Sequence, residues 1–339
     1  MTLDVFPVGF GLMGFTWNPK LKFTQDEFNA VLKQVIEATD KPLFLNGGEF
    51  YGMPDRHENL KKIGKFFETY PEYADKVYVS IKSGVNDHWA PVTSAEELRP
   101  GVEAITKYLA PLYAARKSHP KSLDMYTLAR LGDDTIENVL ERLNVYVKSG
   151  EIKSICLSEV SAQTIQKALA TGAPIGAVEL EFSLFSREAV ENGVFEICAK
   201  NNIPVICYSP LGKGLLAGLN PKDVPEGDMR RNFDRFQGEI YEHNKKLVEV
   251  TKDIAERKKV TPAQVALSFI TSLSNKEWAG VKYPQLVPIP GSTKAARQIE
   301  NFKTIQLFDA DLKEIHDVLD SFKVKGSRYT AAMDAGLYK

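Results

Sequence analysis

In LFLNGGEFYG, residues 43–52, an apolar run reaches Asn46 and two glycines and then Tyr51, and further along the run VYVSIK ends on Lys82. A phenol beside an ammonium is a proton-transfer pair. The positive charge favours the phenolate, which would lower the tyrosine pKa toward a range useful for general acid catalysis. Such a pair suits delivery of a proton to a carbonyl oxygen while the carbonyl is being reduced. Other polar groups also close apolar runs: Ser158 and Glu159 after IKSICLS, Glu181 within GAVELEFS, and Tyr208 within PVICYSP.

Rival chemistries lack their residues. His57, His88, His119, His243 and His316 are scattered with no zinc-binding spacing, so no metal site is expected. There is no Gly-x-Ser-x-Gly turn for a serine nucleophile. Cys156, Cys198 and Cys207 are widely spaced in apolar surroundings and read as reduced core thiols.

The elements that must position these groups follow from the hydrophobic pattern. Val- and Ile-rich runs alternate with segments of helical period, the signature of parallel βαβ units. The strands expected are LFLN, VYVSIK, SLDMYTLA, IKSICLS, GAVELEFS, PVICYSP and LVPIPG, with VGFGLMG as a further strand and turn. Eight such units predict a closed (β/α)₈ TIM barrel, in which the C-terminal ends of the strands share one face. Every polar residue named above would lie there. Among the helices, Thr24 to Glu27 is a near match to a capping box, Ser161 to Thr164 is a weaker one, and a single long helical region runs from about Tyr241 to Ser272.

An open dinucleotide-binding sheet is the rival architecture. GFGLMG lacks the third glycine of that fingerprint, and no acidic residue closes a second strand at the expected distance. Residues 211–240 form a long loop after strand seven, and the chain ends in an extra helix and a tail. Residues 1–339 read as a single domain.

Composition agrees. The 339-residue chain is 43% hydrophobic and carries 43 basic and 44 acidic side chains, a net charge of -1. That gives no global field to attract nucleic acid or an anionic membrane. A small neutral or weakly charged partner is expected. With no secretion-signal pattern at the N-terminus and no run approaching about 18 apolar residues, a cytoplasmic protein is expected.

A phosphate site is also visible. PIPGSTKAARQIEN begins where strand eight ends and opens a helix, whose first N–H groups and positive dipole end suit an anion. A lysine and an arginine in that turn oppose the helix dipole, which a bound anion would explain.

Nearly the whole chain resembles the aldo-keto reductase superfamily, through EFYG, the lysine of VSIK, ICLSEVSAQTI, VELEFSLFSRE, VICYSPLGKGLLAG, TPAQVALSFI and VPIPGSTKAARQIEN. Within it, GEFYG, LSEVS and SLFSR are most similar to the fungal pyridoxal reductase branch. The resemblance implies a (β/α)₈ barrel that uses NADPH to reduce an aldehyde, with a tyrosine proton donor, a lysine that tunes it, an aspartate paired with the lysine, and a histidine that helps hold the carbonyl. Tyr51 and Lys82 match the first two positions. The aspartate position is Asn46 and the histidine position is Ala129.

Asn46 keeps a hydrogen-bonding amide but removes a negative charge, so Lys82 is expected to act more strongly on Tyr51. Loss of one carbonyl-directed donor commonly costs about 10²–10³ in rate. Pyridoxal offers compensation: its phenolic hydroxyl, ortho to the aldehyde, can supply an intramolecular hydrogen bond, while Ala129 leaves space for a substituted ring.

By the same resemblance, Ser292, Lys294 and Arg297 bind the adenosine 2′-phosphate of NADPH and Asn301 reads the adenine. Tyr208 stacks on the nicotinamide, and Ser158, Glu159 and Glu181 hold its carboxamide. Ser209, Leu211 and Gly212 begin the loop over the pyrophosphate, with Lys213, Arg230 and Arg231 as a clamp. Met13, Trp17, Trp89, Arg328 and Tyr329 are candidate substrate walls. Two other functions fit the altered residues: a broad carbonyl reductase, and a cofactor-binding interaction subunit with weak catalysis.

Overall fold

The computed structural model describes residues 2–118, 122–329, 334 and 337–339; His119 and most of the expected tail beyond Tyr329 lie outside the described residues. Eight parallel strands form one sheet in chain order: β1 (Phe10–Gly11), β2 (Leu43–Gly48), β3 (Val77–Ser83), β4 (Met125–Leu128), β5 (Ile155–Ser158), β6 (Ile175–Glu181), β7 (Val205–Tyr208) and β8 (Leu286–Pro288). The sheet curls shut. Gly9 N–H donates to Pro288 O at 2.9 Å and Gly11 N–H to Pro290 O at 3.2 Å. Closure depends on small residues, since a Cβ on Gly11 would lie 3.0 Å from Ile289 O and one on Gly9 2.8 Å from Ile289 Cγ2. The barrel expected from the sequence is the architecture observed.

The helices are α1 (Gln25–Glu37), α2 (Glu58–Thr69), α3 (Ala95–Tyr108), α4 (Ala110–Ala115), α5 (Ile136–Lys148), α6 (Ala162–Ala170), α7 (Glu188–Glu191), α8 (Val194–Lys200), α9 (Gly238–Lys258), α10 (Pro262–Leu273), α11 (Ala295–Phe302) and α12 (Asp309–Ser321). Side chains alternate along each strand, so two apolar cores result. The larger lies between strands and helices and includes Leu45, Val79, Ile81, Leu128, Leu157, Val178 and Leu180. The smaller fills the barrel floor with Phe44, Met125, Cys156, Ala177, Ile206 and Val287, plugged from below by Leu3 and Val5. Each Val, Leu, Ile, Phe or Met among them contributes roughly 1.5–3 kcal/mol on burial. All three cysteines are buried and free.

Inward positions one step further along the same strands are polar, and this change marks the mouth. Asn46, Ser80, Lys82, Thr127, Ser158, Glu179 and Glu181 are all buried there. Among them, Ser80 Oγ and Thr127 Oγ1 lie 2.8 Å apart.

Four local features differ from expectation. Thr24 and Glu27 make a complete capping box, because the Glu27 carboxylate reaches back to Thr24 N–H at 2.7 Å. The region from Tyr241 to Ser272 is two helices, not one: Lys259 turns left-handed at φ 55°, and Thr261 with Gln264 caps a new start at Pro262. A two-strand hairpin, Glu277–Trp278 with Val281–Lys282, turns through Ala279 and Gly280, both at positive φ. The loop from 211 to 240 is wound into short 3₁₀ turns at Gly212–Ala217, Pro221–Asp223, Met229–Asn232 and Asp234–Phe236 before α9 begins at Gly238.

Candidate active site

The register of β2 on β3 sets Asn46 opposite Ser80 and Gly48 opposite Lys82. Tyr51 then folds back over the strand end. A Cβ on Gly48 would stand 2.4 Å from Tyr51 Cγ, so only glycine lets the ring lie there. Thr16 donates a hydrogen bond to Tyr51 O. Glu49, buried beneath, accepts from Arg56 Nε at 2.6 Å and from Ser83 Oγ at 3.2 Å, and Arg56 also bonds Val85 O. The loop bearing Tyr51 is thereby tied to the strand bearing Lys82.

Lys82 has a counter-ion that the sequence reading did not single out. Its Nζ lies 2.6 Å from Glu179 Oε1 on β6, and Asn46 Nδ2 donates to Glu179 Oε2 at 2.8 Å. The expectation that Asn46 leaves Lys82 without a carboxylate is therefore corrected: the negative charge is present, on another strand. Period-two alternation was the available signal, since Glu179 shares its face with Glu181.

The expected acidification of Tyr51 is also corrected. Burial, and next the Glu179 carboxylate, push its pKa well above the ordinary tyrosine value. Both causes favour the neutral phenol over the phenolate. Ala129 packs in the same small cluster, with Phe50, Tyr51 and Val85 and with Trp17 alongside. Trp17 stands edge-on to Tyr51 at 6.1 Å and to Trp89 at 5.2 Å between ring centroids. Trp89 and Met13 are exposed at this mouth.

The other two inward glutamates are also paired. Glu159 receives both terminal nitrogens of Arg328, at 3.1 and 2.9 Å, and the Tyr208 hydroxyl at 2.7 Å. Burial alone would raise the Glu159 carboxyl, yet Arg328 holds it below the ordinary glutamate value. Glu181 takes Lys213 Nζ at 2.7 Å and Ser186 Oγ at 2.8 Å. Lys213 also sits over the Tyr329 ring at 4.3 Å, and burial lowers its pKa. Arg230 chelates Asp228 and reaches Lys213 O at 3.2 Å, while Arg231 bonds Val224 O. Of the three expected as a clamp, Arg230 and Arg231 thus hold their own loop together, while Lys213 ties that loop to Glu181 on β6.

Ser158 differs from its glutamate neighbours, because its buried Oγ has no hydrogen-bond partner. The ring of Tyr208 carries Lys82 Nζ at 5.2 Å from its centroid. Ser209 and Gly212 both adopt positive φ, and Leu211 O accepts from Gly214 N–H, so the loop departs from β7 in a tight turn.

At the far side, α11 opens after β8 with no side-chain cap at Lys294 and no acidic residue in its first turn. Ser292 Oγ accepts Lys294 N–H at 3.1 Å, and Lys294 and Arg297 are exposed. Asn301 is buried with its Oδ1 unpartnered. An uncapped, basic helix start plus two orphaned buried oxygens, on Ser158 and Asn301, fit a nucleotide with a phosphate at one end and a carboxamide at the other. Among the described residues no group of three or more His, Cys, Asp and Glu could hold a metal ion, and no helix is long and apolar enough to cross a membrane.

Known proteins resemble the chain over nearly its whole length. The model of the Aldo/keto reductase family matches residues 7–320. A probable pyridoxal reductase of Schizosaccharomyces pombe is 33% identical, covering 98% of this chain and 97% of the relative. An NADP(+) aldo-keto reductase of the same organism is 32% identical over 96% of this chain and 92% of its own. The solved glycerol dehydrogenase of Gluconobacter oxydans superposes with a TM-score of 0.76 at 17% identity, covering 95% of this chain and 93% of that one, a likeness of fold. With its barrel, its tyrosine and lysine at the mouth and this match along its length, the chain belongs to the aldo/keto reductase family.

Proposed function

We propose that the protein reduces an aldehyde to an alcohol with NADPH, and that pyridoxal, giving pyridoxine, is the substrate. The observation that carries the reading is the buried Tyr51 ring folded over the end of β2, where the Lys82–Glu179 pair closes the barrel mouth. NADPH, when bound, supplies the hydride to the carbonyl carbon. Tyr51 gives its proton to the carbonyl oxygen, and Lys82 moderates the charge left on the phenol oxygen. Ser292, Lys294 and Arg297 hold the 2′-phosphate, and Asn301 reads the adenine. Ser158 takes the carboxamide. Glu159 and Glu181 stand beside it, each also bound to its cation, and Tyr208 offers its ring to the nicotinamide. Ser209, Leu211 and Gly212 line the pyrophosphate path.

Two features support pyridoxal in particular. A relative that matches this chain end to end is named a probable pyridoxal reductase. Ala129, in one cluster with Tyr51, presents only a methyl group where the resemblance implies a histidine. The ortho hydroxyl of pyridoxal then polarises its own aldehyde, in place of a protein donor. NADPH oxidation with pyridoxal, its 3-O-methyl ether and a panel of simple aldehydes tests the reading. Pyridoxal should turn over fastest and the ether much more slowly; equal rates for pyridoxal and its ether would remove the substrate assignment.

A further inference from the structure

We propose that Glu179 is the positioning carboxylate of the active site: reaching across the barrel from β6, it holds the Lys82 ammonium and, with Asn46, replaces an acid on β2. The inference rests on the reading in which Tyr51 is the proton donor.

The geometry is specific. Lys82 belongs to β3 and Glu179 to β6, so their 2.6 Å contact crosses the lumen instead of following a strand pair. The second carboxylate oxygen takes the Asn46 amide at 2.8 Å, so both oxygens are used. The side chains of Lys82 and Glu179 are 9% and 1% exposed. A buried ammonium needs a counter-ion, and the other inward acids are already committed, Glu159 to Arg328 and Glu181 to Lys213. Asn46 acts as a hydrogen-bonding strut: a second carboxylate there would crowd like charge onto Glu179.

The consequence falls on Tyr51. Burial raises its pKa most, then Glu179 and Tyr329 from the tail, while Arg130 after β4 lowers it; Tyr208 on β7 and Cys156 on β5 also face the Lys82–Glu179 pair. Without the carboxylate, the nearest charge that disfavours the phenolate would be gone. Glu179 therefore adds to burial in how firmly Tyr51 keeps its proton, and through it in the alkaline limit of reduction.

Three variants test this: Glu179→Gln, the transposed Asn46→Asp/Glu179→Gln, and Asn46→Asp alone. Tyrosinate absorbance, taken as a difference against the same protein carrying Tyr51→Phe, reads Tyr51 without turnover. Glu179→Gln should lower the Tyr51 midpoint by about one unit or more, and shift the alkaline limb of kcat/KM the same way. The transposed variant should restore both. Asn46→Asp alone should raise the midpoint, and it gives an answer even if Glu179→Gln does not fold. An unmoved midpoint in a folded Glu179→Gln or Asn46→Asp protein would overturn the proposal, as would a transposed variant no better than Glu179→Gln. If no aldehyde is turned over, the proposed function fails while the titration still decides the role of Glu179.

Discussion

Arg328 and Glu159 form a two-pronged ion pair inside the barrel mouth, at 3.1 and 2.9 Å, with both side chains almost wholly buried. It joins the C-terminal segment to the end of β5. Removing one partner of a buried pair costs about 3–5 kcal/mol, because the other charge is stranded. Arg328→Ala should lose stability on that order in urea unfolding, and adding Glu159→Gln should return part of it.

The same pair makes stability pH-dependent. The folded carboxyl of Glu159 lies below the ordinary value of 4.5. Its contribution is therefore fully present above about pH 4.5 and is lost as the pH falls through the folded value. The wild-type melting temperature should drop over that acid range by more than that of Glu159→Gln.

Tyr51→Phe should fold normally, since the Tyr51 ring, not its hydroxyl, packs with Phe50, Val85 and Ala129. Reduction should fall by roughly 10²–10⁴, the usual worth of a positioned proton donor. Steady-state rates and a melting curve on one preparation check both halves. An undiminished rate would remove the tyrosine from the mechanism.

Arg297→Ala should weaken NADPH binding by about 1.5–3 kcal/mol, the worth of a charge-assisted contact, and leave NADH binding unaltered. Lys294→Ala should do the same less steeply. Cofactor titrations by quenching of tryptophan fluorescence give the comparison.

Ala129→His should place a ring where Phe50, Tyr51 and Trp17 converge. Overpacking would raise KM for pyridoxal, while small aliphatic aldehydes should gain from the new donor. A change in the ratio of kcat/KM values between the two substrates is the measurement.

The sequence made the barrel legible because its strands alternate with helices and because the inward residues turn from apolar to polar along each run, as from Phe44 to Asn46 and from Ala177 to Glu179. Tyr51 and Lys82 could be read from their places at strand ends. Glu179 was harder. Two inward glutamates stand two residues apart, and period alone does not say which one meets a lysine across the lumen; that depends on the curvature of the whole sheet. Likewise, nothing local announced that Arg328 would reach Glu159 from 169 positions away. The break at Lys259 was written in Thr261, Pro262 and Gln264, a helix start lying inside a continuous apolar period.

The junction between β8 and β1 gives nucleotide binding a mechanical side. Gly9 and Gly11 meet Pro288 and Pro290 through two backbone bonds, and Gln298 on α11 adds a third from its side chain to Gly9 O at 3.2 Å. The turn proposed to grip the 2′-phosphate leads straight into that helix. A ligand seated there would act as a clasp across the barrel's zip, so the first and last strands would be stitched together more firmly when the enzyme is loaded.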